Sequence, residues 1–445
     1  MDFYIKAFQL LASLSILVVL HELGHFIPAK IFKTRVEKFY LFFDPWFSLF
    51  KKKVGGTEYG VGWLPLGGYV KISGMIDESM DKEQMKKPAE PWEFRAKPAW
   101  QRLIIMLGGV FVNLVLGMFI YAMTLFVYGD KYLPNENLKE GVWCVDDFSK
   151  GLGFENGDKF VSIDGEKIER FSSILEKLVV AKKAVVEREG VLIEVVLPEN
   201  FVEQLLKNGK TALFFPRMPT FIAGFTENSS CREGGLLIGD NIVSINDVST
   251  KYHDQIVSLL KKHKDTVVKI GVLRDKEELF YNIRTNENGV IGFYPQSFSF
   301  LELERLGYYD LRSKRYGFFE SFPAGYEKAL RKLGSYIDQF KLILNPSSGA
   351  YKGVGGFGAI GSLFPSEWDW ERFWNLTAFL SLMLAFMNIL PIPALDGGHV
   401  VFLLYEIVVG RPAPEKIIEN AQVVGMILLL ALLVFANGND ILRLF

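Results

Sequence analysis

The stretch Leu17-Val18-Val19-Leu20-His21-Glu22-Leu23-Gly24-His25-Phe26-Ile27 places two histidines and a glutamate inside an otherwise apolar run. On a helix, positions i and i+4 share a face, so His21 and His25 can reach one metal ion. Two imidazoles plus a carboxylate, with one position left open, are a usual catalytic zinc set, and Glu22 then stands beside the ion as a general base. Ionisable groups in a membrane-length apolar segment are costly unless they pair or coordinate, so by default they mark function.

Working outward, the run from Phe3 to Ile27 is the first of four apolar segments. The others are Leu103–Val127 and Phe373–Leu395, both without formal charge, and Ala421–Ala436, which follows the apolar stretch Val400–Tyr405. A bilayer core needs about 20 apolar helical residues. The expected architecture is a multi-pass α-helical membrane protein of about four transmembrane helices: 1–28, 103–128, 373–395 and one within 396–445. The first run passes into His21–His25 rather than a small-residue cleavage site, unlike a signal peptide. Basic residues crowd the loop Lys30–Arg102, including Lys51-Lys52-Lys53 and Lys86-Lys87. Arg411 and Lys416 mark the third connection, while the termini carry only Lys6 and Arg443. Positive-inside bias puts those loops in the cytoplasm and the termini and long middle region outside.

Composition agrees. Among 445 residues, 50 Lys+Arg face 51 Asp+Glu, for a net charge of -1. A nucleic-acid binder should show a basic excess, so that class is excluded. Mean hydropathy is +0.18 although 23% of residues are charged, so the apolar residues and the charges are segregated along the chain. Two cysteines exclude a disulfide framework, and Cys144 and Cys231 do not occupy equivalent repeat positions.

The middle region is internally repeated. The segment from Gly153 through Gly157-Asp158 to Val161-Ser162-Ile163-Asp164 matches that from Gly235 through Gly239-Asp240 to Val243-Ser244-Ile245-Asn246 at constant offset. Each copy reads as a Gly-Asp turn, an alternating strand and a polar turn, followed by a helix-like stretch, Phe171–Val180 or Tyr252–Lys262. The repeat resembles tandem PDZ domains, expected at 139–220 and 221–296, an α+β extracytoplasmic insertion. PDZ domains bind extended peptides at a sheet edge, which offers a site for a peptide C-terminus. Gly151–Phe154 falls in register with Glu233–Leu236, so it belongs to the run-up to the turn rather than to a carboxylate-binding loop. A 297–370 segment follows, with an amphipathic Glu320–Leu344 broken by Pro323 and Gly334 and a glycine-rich Gly353–Gly361. Phe298–Tyr316 matches no pattern.

A third zinc ligand should come from another apolar helix at matching depth. With the first and third segments both entering from outside, Asp396 and His399 qualify, and a carboxylate makes Asp396 the better choice. His253 and His263 fall on the other side of the membrane and read as ordinary exposed histidines.

With Asn388-Ile389-Leu390-Pro391-Ile392-Pro393-Ala394-Leu395-Asp396-Gly397-Gly398-His399 beside the first motif, the chain resembles the site-2 protease family of intramembrane zinc metalloproteases. The repeat between spans two and three narrows the resemblance to the regulator-of-sigma-E protease branch. Gly109–Asn113 and Gly67-Gly68-Tyr69-Val70-Lys71 support it. The resemblance implies one zinc ion held by His21, His25 and Asp396, with Glu22 as catalytic base. It implies a substrate-binding set of Asn388, Asn113, Pro391, Pro393 and Gly67, Gly68, Tyr69, Val70 and Lys71. Gly60–Ser73 would be a membrane-associated β-loop within the 29–102 cytoplasmic loop. There Tyr69–Ile72 alternates as a strand, and an edge strand gives an unwound helix new backbone partners. The implied substrate is a single-span membrane protein already trimmed outside, of the anti-sigma-factor type or a signal-peptide remnant, cut in a bacterial inner membrane toward the cytoplasmic side. Two other classes stay open at this point: a metal transporter using the same three ligands, and a PDZ-bearing membrane scaffold.

Overall fold

The computed structural model describes residues 2–75, 88–209 and 212–442, so Lys86, Lys87 and Arg443, used above for orientation, lie outside the described residues. The chain divides into two compact units: 2–129 with 315–345 and 350–442, and 130–314 with 346–349.

The first unit contains helices α1 (Asp2–Ile31), α2 (Ala99–Tyr128), α3 (Phe318–Leu344), α4 (Trp370–Ile389), α5 (Asp396–Val409) and α6 (Glu415–Leu442), with strands β1 (Val36–Val54) and β2 (Thr57–Ile72). Helices α1, α2, α4 and α6 are long and apolar enough to cross a membrane. Helix α5, at 14 residues, extends about 21 Å, short of a hydrocarbon core.

Small residues set the packing of α1 on α2. A Cβ added at Gly24 would overlap the Gly108 carbonyl, and one at Gly108 would overlap Gly24 O, so the two backbones touch. Small residues allow such close approach between membrane helices. Polar side chains tie the remaining helices: Thr377 Oγ1 donates to Ser13 Oγ at 3.0 Å and Ser381 Oγ to the Asn113 carbonyl at 2.7 Å. Contrary to the expectation of a break, α3 runs unbroken through Pro323 and Gly334. Pro323 forfeits one early hydrogen bond, and Gly325 two residues on lets the helix lie directly on the Ala122 backbone.

The β-loop is larger than expected, beginning at Val36 rather than Gly60. β1 and β2 are each long enough to fold back, and the register gives four laterally paired segments. Lys38–Leu41 pairs with Gly68–Lys71 on one side and Glu58–Val61 on the other, and Glu58–Val61 pairs in turn with Phe50–Lys53. Gly68–Ile72 is therefore an edge segment, and no described strand pairs with its free side.

The second unit holds both copies of the repeat. The first forms a four-stranded sheet in the order Glu166–Lys167, Lys159–Ile163, Lys183–Arg188, Val191–Val196. The second orders Glu277–Arg284, Val267–Arg274, Asn241–Ile245, Thr220–Phe225 and Phe293–Pro295, with Val248–Ser249 beside Asn241–Ile245. The Gly-Asp turns are built alike. Asp158 accepts from Arg188 Nε at 2.7 Å and from the Glu155 N–H at 2.8 Å; Asp240 accepts from Arg274 Nε at 2.6 Å and from the Leu237 N–H at 2.9 Å. Gly157 and Gly239 share φ +96, a conformation that favours glycine.

Phe298–Tyr316, unreadable in sequence, contributes Leu303 and Tyr309 to the first copy's core, and Arg312–Lys314 pairs with Asp130–Tyr132. Cys144 and Cys231 are free and buried, and burial pushes both thiols up to about 12. His253 and His263 are half-buried rather than exposed, with Nδ1 bonded to Thr220 Oγ1 at 3.1 Å and to the Leu259 carbonyl at 2.9 Å.

Candidate metal centre and substrate cleft

One face of α1 presents His21 and His25 one turn apart, their Nε2 atoms separated by 3.2 Å. Leu390–Leu395 turns the chain between α4 and α5, with Ala394 at φ +73, so that Asp396 opens α5 against these rings. Asp396 Oδ2 lies 3.4 Å from each Nε2. Among the described residues this trio is the one cluster of metal-ligand side chains whose donor atoms converge, all within 4.8 Å of one another.

The surroundings orient the rings. His25 Nδ1–H donates to the Ile105 carbonyl at 2.8 Å, leaving Nε2 as the lone-pair nitrogen facing the cluster. His21 Nδ1 lies 3.1 Å from the Asn113 amide. Amide O and N are interchangeable by a flip, so Asn113 Oδ1 can take the Nδ1–H and fix the same tautomer. Asn113 is fully buried behind the ring. That corrects its expected role as a substrate contact: it orients His21.

Two features fit a metal ion here. Asp396 Oδ2 is buried and accepts no hydrogen bond from the described residues, which is costly without a cation. Gly109 leaves space at the rings that a Cβ would fill, since one built there meets His21 Cε1 at 2.6 Å and overlaps His25 Nε2. Two imidazole nitrogens and one carboxylate oxygen beside a cavity match the three-ligand, open-position pattern of catalytic zinc.

The cavity, about 840 Å³, is lined by Glu22, Lys38, Asp44, Gly68–Ile72, Met106, Leu395 and His399, besides the trio. β2 crosses α1 at Gly68, where a Cβ would come within 3.5 Å of Glu22 Cγ and against Val18. Asn388, at the end of α4, brings its amide to 3.4 Å from His21 Nε2. His399 faces the cavity but its Nε2 meets the Gln422 amide at 2.8 Å, leaving Asp396 as the carboxylate at the rings. Of the other expected substrate contacts, Gly68, Tyr69, Val70 and Lys71 line the cavity. Gly67 lies under the Phe43 ring at φ +150. Pro391 is exposed and the Pro393 carbonyl packs against Gly425, so both shape the turn before Asp396 and do not line the cavity.

Sequence reasoning missed Gln422 and Asp44, and it named Gly109 only as part of the Gly109–Asn113 match, without its place at the rings. Gly109 had one signal, a Gly108-Gly109 pair in a span of large residues; the other two had none.

Comparison with known proteins agrees with this geometry. The model of peptidase family M50 matches residues 9–432. The chain is 28% identical over 475 residues to the Regulator of sigma E protease of Haemophilus influenzae, covering all of both chains. It is 26% identical over 464 residues to a Vibrio cholerae protein named "Putative zinc metalloprotease", covering 97% of each. A Treponema pallidum protein of the same name is 26% identical over 455 residues, covering 97% of this chain and 98% of that one. The chain belongs to peptidase family M50: it is a zinc-dependent metalloprotease of the membrane, which sets aside the transporter and scaffold classes.

Proposed function

We propose that this M50 peptidase cleaves peptide bonds within the transmembrane segment of single-span membrane proteins already trimmed on their outer side, of the anti-sigma-factor type. The observation that carries the reading is one cavity shared by His21, His25 and Asp396, by Glu22, and by the open strand edge Gly68–Ile72. A transmembrane helix hides its carbonyls in its own hydrogen bonds and must unwind before cleavage. The free edge offers an unwound segment new backbone partners next to Glu22.

His21, His25 and Asp396 would hold zinc, which when bound polarises the scissile carbonyl and makes water a stronger nucleophile. The Glu22 carboxylate takes a proton from the attacking water as the new C–O bond forms. It then delivers that proton to the amine nitrogen as the C–N bond breaks. Asn388, 3.4 Å from His21 Nε2, would hold the substrate backbone there. Gly68–Lys71 aligns the extended chain, and the apolar walls keep bulk water from its other carbonyls. The repeats of the second unit act as tandem PDZ-like domains outside the cytoplasm. They exclude untrimmed substrates or take up a new C-terminus, with the catalytic cavity toward the cytoplasmic side of an inner membrane.

The test is co-expression with a tagged, pre-trimmed single-span reporter. Native protein should shorten it, and Glu22→Gln should leave it intact while retaining zinc. Near-normal cleavage by the variant would sink the mechanism.

A further inference from the structure

The edge segment Gly68–Ile72 is laddered on one side only, to Val36–Leu41, and that ladder ends at Gly68. After the pair Leu41↔Gly68 the next partner is Phe43↔Leu64, so Pro65–Gly67 lies outside the pairing just where the edge begins. A second hold comes from the Tyr69 side chain. Its ring is stacked between Tyr40, at 5.3 Å and 14°, and Phe43, at 6.0 Å and 7°. Its hydroxyl donates to Asp44 Oδ1 at 2.8 Å, and Ser48 Oγ donates to Asp44 Oδ2 at 3.0 Å. Burial and the Asp44 carboxylate push the Tyr69 phenol well above its ordinary range, so it stays a donor.

Asp44 occupies an unusual stretch of backbone. Phe42 at φ +67 and Trp46 at φ +72 flank it, both non-glycine residues in the left-handed region. Such conformations persist only where surrounding structure fixes them. Here the two kinks bring Asp44 back to Tyr69 instead of letting β1 run on, and both side chains line the catalytic cavity.

We infer that Asp44 is a positioning residue: through Tyr69 it sets the register of the Gly68–Ile72 edge over Glu22, and so fixes which substrate bond reaches the metal centre. This rests on the reading that substrate adds as a strand at that edge. Side chains alternate along a strand, so a loosened edge lets the bound segment slip and cleavage scatter.

The experiment uses the full chain in membranes or detergent with a trimmed single-span reporter. D44A and Y69F should each raise KM about tenfold or more, since a hydrogen bond to a charged group is lost. The change in kcat should be smaller, zinc content unchanged, and product masses should spread over neighbouring bonds. D44N, which keeps an acceptor for the tyrosine hydroxyl, should stay near native. The D44A/Y69F double variant should be no worse than either single, as expected of one coupled pair. Native KM with a single native product mass in D44A overturns the inference. Loss of zinc along with activity also overturns it, because Asp44 would then serve folding generally. A disulfide crosslink between V70C and a cysteine in the reporter's transmembrane segment tests the strand reading itself. It should form with D44 intact and weaken in D44A; its absence with D44 intact refutes strand addition and the inference with it.

Discussion

Replacing Gly109 with alanine should remove zinc from a protein that otherwise folds. The new methyl would sit 2.6 Å from His21 Cε1 and 2.8 Å from His21 Nδ1, and would overlap His25 Nε2. Ordinary contacts of this kind are about 3.5–4.0 Å, so the rings or the helices must give way by about 1 Å. Separating the helices to make room would break the close backbone packing of Gly24 on Gly108. The imidazoles therefore move, whereas a metal site tolerates distance errors of only about 0.2 Å. Disturbing groups that merely orient metal ligands costs about 10–100-fold in affinity, or about 1.4–2.7 kcal/mol. This substitution displaces the ligands themselves, so at least the upper figure applies. Helix propensity acts the other way, since Gly→Ala in a helix interior contributes up to about 1 kcal/mol of stability. The metal-free variant should thus melt no lower than metal-free native protein. The assay is zinc content of purified protein after dialysis against graded chelator, beside reporter cleavage. Gly117→Ala is the control: its methyl meets the flexible Leu382 side chain at 2.8 Å and should leave zinc in place. Native zinc affinity and cleavage in Gly109→Ala would refute the reasoning.

Asp396→Asn should purify with little zinc while His399→Ala keeps it; the reverse result, read by metal analysis, would move the third ligand to His399. In the second unit, burial would raise the Asp240 carboxyl, but hydrogen bonds from Arg274 and the Leu237 N–H hold it below its ordinary value near 3.8. A depressed folded value means its contribution is present above that ordinary value and is lost as pH falls through the folded one. Strand Asn241–Ile245 should therefore lose hydrogen-exchange protection on acidification below about pH 4. Asp240→Asn should remove about 1–3 kcal/mol of that protection already at neutral pH. Removing Val142–Tyr294 should permit cleavage of untrimmed reporters, since Asp130–Tyr132 and Arg312–Lys314 can still pair to close the ends; unchanged selectivity on a blot would refute the filter.

The membrane helices and the His21–Glu22–His25 cluster were legible because polarity in an apolar run is conspicuous and helical spacing is fixed. The convergence of Asp396 on the two histidines was legible from depth and residue type. The Gly-Asp turns of the repeat were visible because glycine in a left-handed turn leaves a mark that sequence comparison detects. β1 was not legible. Val36–Val54 lacks clean alternation, since its first half pairs on both sides and its middle kinks at Phe42 and Trp46. The unbroken α3 was missed because a proline rule judges one lost hydrogen bond and cannot see Ala122 waiting for Gly325. Asn113 was assigned to substrate because sequence gives no sign of which way a helical side chain turns between α1 and α4. The space at Gly109 and the approach of Asp44 to Tyr69 exist only in the assembled fold.

The four-segment sheet has two margins of opposite character. The far one, Leu49–Val54, is exposed and carries Lys51, Lys52 and Lys53 in succession. Lysines on an outermost strand discourage recruitment of further chains. A second copy approaching that margin would bring the same three charges against them. The near margin, Gly68–Ile72, lines the cavity of about 840 Å³ beside the metal-ligand trio. The lysine margin thus guards the side of the sheet that faces away from the metal centre, while the proposed substrate edge lies on the cavity side.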